Sequence, residues 1–280
     1  MLPKYLEVKN IQDRDQVLLD WISTYGEIDV CTECKETSPN AYLKPDMSWF
    51  NSYDLDTELI HKLTYIYNNR YQGEHFYIGK GPVGNPAFLN ENEYYNMPFS
   101  DDGFKLLALY RYWNIIHYFF PYHYVTDTEW QQVLRAYIPV FLNTKTRLDY
   151  ELAFIKLIGE INDTHASTTV GFTNVQNKRG EYYPPFKTQF INDTLVVGDY
   201  YNPELQEPSK INSGDVITHI NNKPVQAILD SVRPYYPPSN EVVKLRDIAS
   251  DILRSNNKQI RIDYVSKHKK YSHQLPLYVV

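Results

Sequence analysis

The stretch Ser213–Val225, SGDVITHINNKPV, decides how the second half of the chain is read. Gly214-Asp215 supplies a tight turn, and Val216, Ile217 and Ile220 build a strand. Asn221-Asn222-Lys223 then turns the chain back ahead of Pro224. Asparagine tolerates the left-handed backbone that two-residue hairpin turns require, so this strand and turn are specified locally. Outward from here the apolar period stays at two. Thr188–Ile191 and Leu195–Asp199 read as strands paired across Asn192-Asp193, and Ile260–Val265 and Gln274–Val279 read as closing strands. Between them lie a short helix, Gln226–Val232, and a longer one, Asn240–Leu253. The longer helix is capped by Asn240 or Ser239, with Val243, Ile248 and Ile252 inward.

Upstream the period is helical. Leu106, Leu109, Tyr110, Trp113 and Ile116 or His117 recur at three- and four-residue steps until Pro121 ends the run. Thr126-Asp127-Thr128-Glu129 reads as a capping box for a second helix whose buried face is Trp130, Val133, Leu134 and Tyr137. A third helix, Leu148–Ile161, carries the stripe Leu148, Leu152, Ile155 and Ile158. These predict a small helical bundle over residues 99–172, a polar, proline-containing linker over 173–185, and a sheet-bearing domain over 186–280. Residues 1–98 are irregular and aromatic. They hold helices around Val17, Leu18, Trp21 and Ile22 and over Leu55–Tyr67, and turns near Ser38-Pro39-Asn40. Gly79–Pro86 contains three glycines and two prolines without a Walker lysine-serine pattern, and reads as a loop. The class is α+β, multidomain, with a mostly helical N-terminal region.

Composition narrows the function. With 280 residues the chain can bury two or three cores. The longest apolar-aromatic stretch, Ile115–Phe120, is broken by His117 and is too short to span a membrane. A net charge of -6 with interspersed signs leaves no basic footprint for nucleic acid. The Met1-Leu2-Pro3 start has no secretory pattern, which fits a cytosolic protein or a chain that begins after a removed leader. Cys31 and Cys34 form a single CxxC. A metal site needs about four ligands, and no second pair supplies them. Glu33 and Glu36 would raise the thiol pKa, so a local disulfide or inert thiols are expected rather than a redox pair, and no metal or cofactor is predicted.

The chemistry concentrates in Gly159–Ala166, GEINDTHA, where Asp163, Thr164 and His165 offer an acid, a hydroxyl and an imidazole just past a helix end. His165 is a candidate general base. None of Ser167, Ser209, Ser213 or Ser239 lies in a Gly-x-Ser-x-Gly elbow. The plainer reading is a helix stop and turn, with the imidazole satisfying a local hydrogen bond. His117 and His123 read as packing or surface residues.

At these residues a family resemblance enters. SGDVITHINNKPV resembles the core of a PDZ domain of the rearranged bacterial type. With LALYRYWNIIHYFFPY (Leu107–Tyr122), WQQVLRAYIPVF (Trp130–Phe141), LIGEINDTHA (Leu157–Ala166) and YYPPSNEVVKLRDIASDIL (Tyr235–Leu253), the chain resembles C-terminal processing and tricorn-like serine peptidases over about Phe99–Val280. The resemblance implies a PDZ-like, partly open β-barrel with two helices following the bundle. In tricorn-like members a hydroxyl-His-Ala motif supplies the base for a serine in a later α/β domain. Thr164-His165-Ala166 falls on that motif, which implies His165 as general base and Thr164 as its positioning neighbour, with Asp163 mainly a turn and orienting residue. In the other main subtype a serine–lysine dyad works and this position is structural.

The resemblance further implies the N-terminal portion of a serine endopeptidase, with its serine in a domain beyond Val280 and no hydrolysis by this chain alone. A PDZ domain implies strand addition of a polypeptide or peptide substrate, in a groove between the strand near Phe186 and helix Asn240–Leu253. Phe186, Phe190, Val243, Ile248 and Ile252 are the candidate peptide-binding residues. The usual Gly-Φ-Gly-Φ carboxylate loop is not evident in YYPPFKTQF (Tyr182–Phe190). A place in the periplasm or cell envelope follows from the same resemblance, with the cytoplasm as the other compartment, while a homo-oligomer is compatible with the sequence but not specified by it. The reading from a different class is a stand-alone PDZ-type peptide-binding module.

Overall fold

Two side-chain caps start the main helices of the first unit. In the computed structural model, which describes residues 1–41, 44–94, 96–166 and 172–279, the chain forms two units, Met1–Glu93 and Tyr94–Val280. The first unit holds α1 (Leu2–Leu6), α2 (Ile11–Ser23), α3 (Trp49–Ser52) and α4 (Thr57–Asn68). Asn10 accepts the Asp13 N–H to open α2, and Asp56 accepts the Glu58 N–H to open α4. Buried Asp15 joins them: it pairs with Arg14 at 2.6 Å and accepts the Asp56 backbone N–H at 2.6 Å.

Cys31 and Cys34 form a disulfide. Its loop is pinned to the end of α4, because the Cys31 N–H donates to Asn69 and the Arg70 guanidinium donates to the Lys35 carbonyl. The segment read as a loop at Gly79–Pro86 is a hairpin, β1 (Ile78–Lys80) with β2 (Pro86–Phe88). Strands of three residues are too short to show a period of two.

The second unit begins with three helices, α5 (Asp102–Phe119), α6 (Trp130–Leu142) and α7 (Arg147–Gly159). Leu109, Trp113, Ile116, Trp130, Val133, Tyr137, Phe141, Ala153, Leu157 and Ile161 form their common core. Tyr110, expected inside, is 38% exposed. The expected capping box at Thr126–Glu129 is absent. Glu129 is the N-cap of α6, but its side chain accepts from the Gln132 amide and caps no backbone N–H, and the Thr126 hydroxyl donates to the carbonyls of His123 and Thr128, closing the 3₁₀ turn His123–Val125. The box occurs one helix later. Thr146 accepts the Asp149 N–H at 3.1 Å, and Asp149 accepts the Thr146 N–H at 2.9 Å.

Helix α7 is buried on two sides. Ala153 and Leu157 enter the bundle core, while Ile155 and Ile158 are buried outside it. On that second side α7 meets α8 (Thr173–Arg179) and the 3₁₀ turn Arg233–Tyr235, and Lys156 lies over the Tyr235 ring at 5.0 Å.

The presumed linker 173–185 is therefore structured. Buried Glu151 of α7 accepts the Val175 N–H at 3.0 Å and the Asn174 side chain at 2.6 Å, capping α8 from another helix. The strand β3 (Tyr182–Tyr183) follows.

Next come β4 (Phe186–Ile191), β5 (Thr194–Tyr200), α9 (Gln206–Ser209), β6 (Val216–Ile220) and β7 (Lys223–Pro224). The chain continues through α10 (Val225–Val232), α11 (Glu241–Asp251), β8 (Gln259–Ser266), β9 (Lys269–Pro276) and β10 (Tyr278–Val279). The sheet runs β4-β5-β6-β8-β9, antiparallel throughout, with β7 on β6 and β10 paired separately to β3. Among the described residues it closes into no barrel, and β4 and β9 are its edges. Its core gathers Phe186, Leu195, Val197, Ile217, Ile262 and Leu275 with Ala249 and Leu253.

Asn192-Asp193 and Asn221-Asn222 adopt the left-handed turns expected of them. Lys267 and His268 do so as well, which is why the last long strand begins at Lys269 rather than Gln274. The architecture is α+β with antiparallel sheets. No helix among the described residues is long and apolar enough to cross a membrane.

Candidate functional site

The C-terminus of α7 carries the candidate site, and its neighbours fix the turn. Ile161 is buried in the bundle core, and the Tyr137 hydroxyl donates to Glu160 at 2.7 Å. Asn162 adopts a left-handed backbone, φ 49°. Its side-chain amide donates to Asp127 at 2.8 Å, tying the turn to the segment ahead of α6.

Asp163 then organises the next three residues. Its Oδ1 accepts the His165 backbone N–H at 2.8 Å and lies 2.8 Å from His165 Nδ1, while its carbonyl accepts the Ala166 N–H at 3.0 Å. Partial burial works to raise the Asp163 pKa, but the bonds from the His165 N–H and ring, with attraction to the imidazole, outweigh it and hold the carboxyl below its ordinary value. The His165 side chain is 96% exposed, and Thr164 is exposed beside it. With Nδ1 engaged on Asp163, Nε2 faces outward.

Behind the turn, the Tyr112 hydroxyl is buried without a hydrogen-bond partner among the described residues. Burial first, and the Asp163 charge second, push its pKa far above the ordinary phenol value.

No serine is brought to His165 by the hydrogen bonds among the described residues. Ser209 is buried, in a short contact with the Tyr200 hydroxyl, and donates to the Gln206 carbonyl. Ser213 donates to the Gly198 carbonyl, and Ser239 is exposed ahead of α11. Ser167 lies outside the described residues. Among the described residues no group of three or more His, Cys, Asp or Glu is arranged to hold a metal ion.

The second candidate site lies along β4 and α11. Thr188 donates to the Ala249 carbonyl at 2.7 Å, strapping edge strand to helix. Phe186 and Ile248 are fully buried and have no surface to offer a ligand in this conformation. Phe190 and Ile252 pack against the sheet core with part of their surface open, and Val243 is half-buried. Ahead of β4, Pro184 and Pro185 are buried and carry no backbone N–H, and the Pro185 carbonyl is taken by the Tyr201 N–H. The anchors Asp127 and Tyr137 and the Thr188 strap carry no local sequence signal, because each joins segments far apart in the chain. For Asp163, the signal was its place two residues before a histidine.

No protein-family model matches the chain, and no curated protein matches it. Among solved structures it is similar to a photosystem II D1 C-terminal processing protease, with 12% sequence identity and a TM-score of 0.28. The match covers 63% of this chain and 44% of that one, so the chain spans less than half the length of that structure.

Proposed function

We propose that this chain is the helical and PDZ-like recognition part of a serine-type endopeptidase, and that it supplies His165 as general base to a serine outside residues 1–280. One observation carries the reading. Asp163 engages His165 Nδ1 at 2.8 Å and leaves the other ring nitrogen in the open, as a base must stand to take a proton from an incoming hydroxyl. The sequence resemblance of Thr164-His165-Ala166 to the tricorn-like motif supports it. The bonds of Ser209 to the Gln206 carbonyl and of Ser213 to the Gly198 carbonyl agree with a nucleophile from another domain. A serine hydroxyl needs such a base because it is a weak nucleophile until its proton is accepted.

Residues 186–280 act in this reading as a PDZ-like domain that takes polypeptide at the β4 edge, with Phe190, Val243 and Ile252 lining the groove. The prolines at 184 and 185 remove the backbone donors that would hold a free carboxylate, which favours an internal segment of substrate over a C-terminus. The Cys31–Cys34 disulfide supports an exported protein of the periplasm or cell envelope.

The test is hydrolysis of an unstructured polypeptide by the natural protein that contains this chain, as wild type and as His165→Ala. A loss on the order of 10²–10⁴-fold with unchanged circular dichroism is expected. Turnover retained in the variant removes His165 from the mechanism.

A stand-alone peptide-binding module is the second reading, favoured by β4 standing as an edge strand beside α11. Peptide binding by a natural protein that shows no hydrolysis would select it.

A further inference from the structure

The Asp163–His165 pair separates two groups that the sequence motif places side by side. Thr164 is the motif's hydroxyl and the expected positioning neighbour, yet the described contact to the imidazole comes from Asp163. We infer that Asp163, not Thr164, is the positioning residue of the site, and that it fixes His165 in the tautomer carrying its proton on Nδ1.

The inference deepens the reading of His165 as a general base and rests on it. Asp163 Oδ1 receives both the backbone N–H and the ring nitrogen of His165, each at 2.8 Å, so one atom sets both the turn and the ring direction. An acceptor-only carboxylate requires a donor opposite it, which places the proton on Nδ1 and leaves the Nε2 lone pair outward.

The turn cannot drift freely. The Asn162 amide holds Asp127 at 2.8 Å on one side, Tyr137 holds Glu160 at 2.7 Å on the other, and Ala166 packs against the bundle core. A fully exposed imidazole would otherwise sample all its rotamers. Here its orientation is set by the residue two positions earlier, within one turn, and does not depend on another domain closing over it.

The experiment reads the tautomer directly. ¹⁵N chemical shifts of the His165 ring are recorded on this chain at about pH 8.5, where imidazoles are neutral. The variants are Asp163→Ser, whose hydroxyl can still accept the backbone N–H but does not reach the ring, and Thr164→Val. The wild type is expected to show Nδ1–H as the major tautomer. Asp163→Ser should shift the population severalfold toward Nε2–H, and Thr164→Val should leave it unchanged. If Asp163→Ser does not fold, Asp163→Asn removes the charge at constant shape and the same shift, smaller, is expected.

A wild type with Nε2–H as the major form overturns the inference. So does a ratio indifferent to Asp163, or an equal shift in Thr164→Val. The readout needs no turnover, so its failure is distinguishable from failure of the peptidase reading, which only the hydrolysis test of His165→Ala addresses.

Discussion

Trp113 and Trp130 hold each other reciprocally. Each indole Nε1–H donates to the other residue's backbone carbonyl, at 2.8 and 3.0 Å, and both rings are buried. This pair of hydrogen bonds locks the register of α5 against α6, and with it the loop that carries Asp127. Trp130→Phe and Trp113→Phe should each lower stability by about 1–2 kcal/mol through the lost hydrogen bond and ring volume. The double variant should cost less than the sum, because either change frees the register that both bonds share. Urea denaturation of the four proteins measures this, and strict additivity would show the two bonds to be independent.

Gly180 should be far less tolerant than its exposed counterpart. It sits at φ 100°, and a Cβ there would lie 2.1 Å from the Ser255 carbonyl carbon. Gly214 sits at φ 90° with open space around it. Gly180→Ala adds steric overlap with backbone to a conformational strain of about 1–3 kcal/mol, whereas Gly214→Ala carries the strain alone. Thermal unfolding of both variants should show the larger loss at Gly180.

Asp251 is the hub of a largely buried ion network. It pairs with Arg179 at 3.0 Å and Arg254 at 3.0 Å, and accepts the Tyr236 hydroxyl at 2.9 Å. Arg254 also donates twice to the Gly180 carbonyl. Asp251→Asn leaves two guanidiniums without their counter-charge and should cost on the order of 3 kcal/mol. Asp247→Asn, which breaks the surface pair with Arg246, should cost less than about 1 kcal/mol. Equal losses would argue against the network as a stabilising element.

His117 should make folding sensitive to mild acid. Its ring stacks on Trp113 at a centroid distance of 4.6 Å and lies 5.6 Å from that of His123. Burial first, and His123 second, hold its pKa below the ordinary 6.5. The unfolded chain therefore binds the proton more readily. The stabilising contribution is complete above pH 6.5 and is lost as pH falls through the lower folded value. Stability should decline from pH 7.5 to 5.5, and His117→Phe, which keeps the stacking, should flatten that decline. An unchanged slope would assign the effect to other groups, His273 first among them, since burial lowers its pKa too.

How far the sequence could be read depended on where each signal lay. Asn192-Asp193 and Asn221-Asn222 announce their turns because their own side chains favour a left-handed backbone. Lys267-His268 makes the same turn with residues that carry no such mark, so nothing in the sequence announces the five residues of β9 ahead of Gln274. Helix α8 was invisible because its cap, Glu151, is contributed from α7. Thr126 and Glu129 have the spacing of a capping box, but Thr126 is occupied by the turn before α6, and the box forms one helix later at Thr146 and Asp149. At the site, His165 and its turn stood out in GEINDTHA. The contacts that hold the turn, Asn162 to Asp127 and Tyr137 to Glu160, were hidden by separations of 35 and 23 residues.

Helix α7 has a consequence for divergence. With Ile155 and Ile158 buried on one side and Ala153 and Leu157 on the other, it has little solvent face on which substitutions can accumulate unnoticed. A change that suits the bundle must also suit the surface made by α8 and Arg233–Tyr235. The bundle and the sheet are therefore poor candidates for modular exchange. A chimera that takes its helices from one relative and its sheet from another would have to carry both coats of α7, and the base at its tip would inherit any misfit between them.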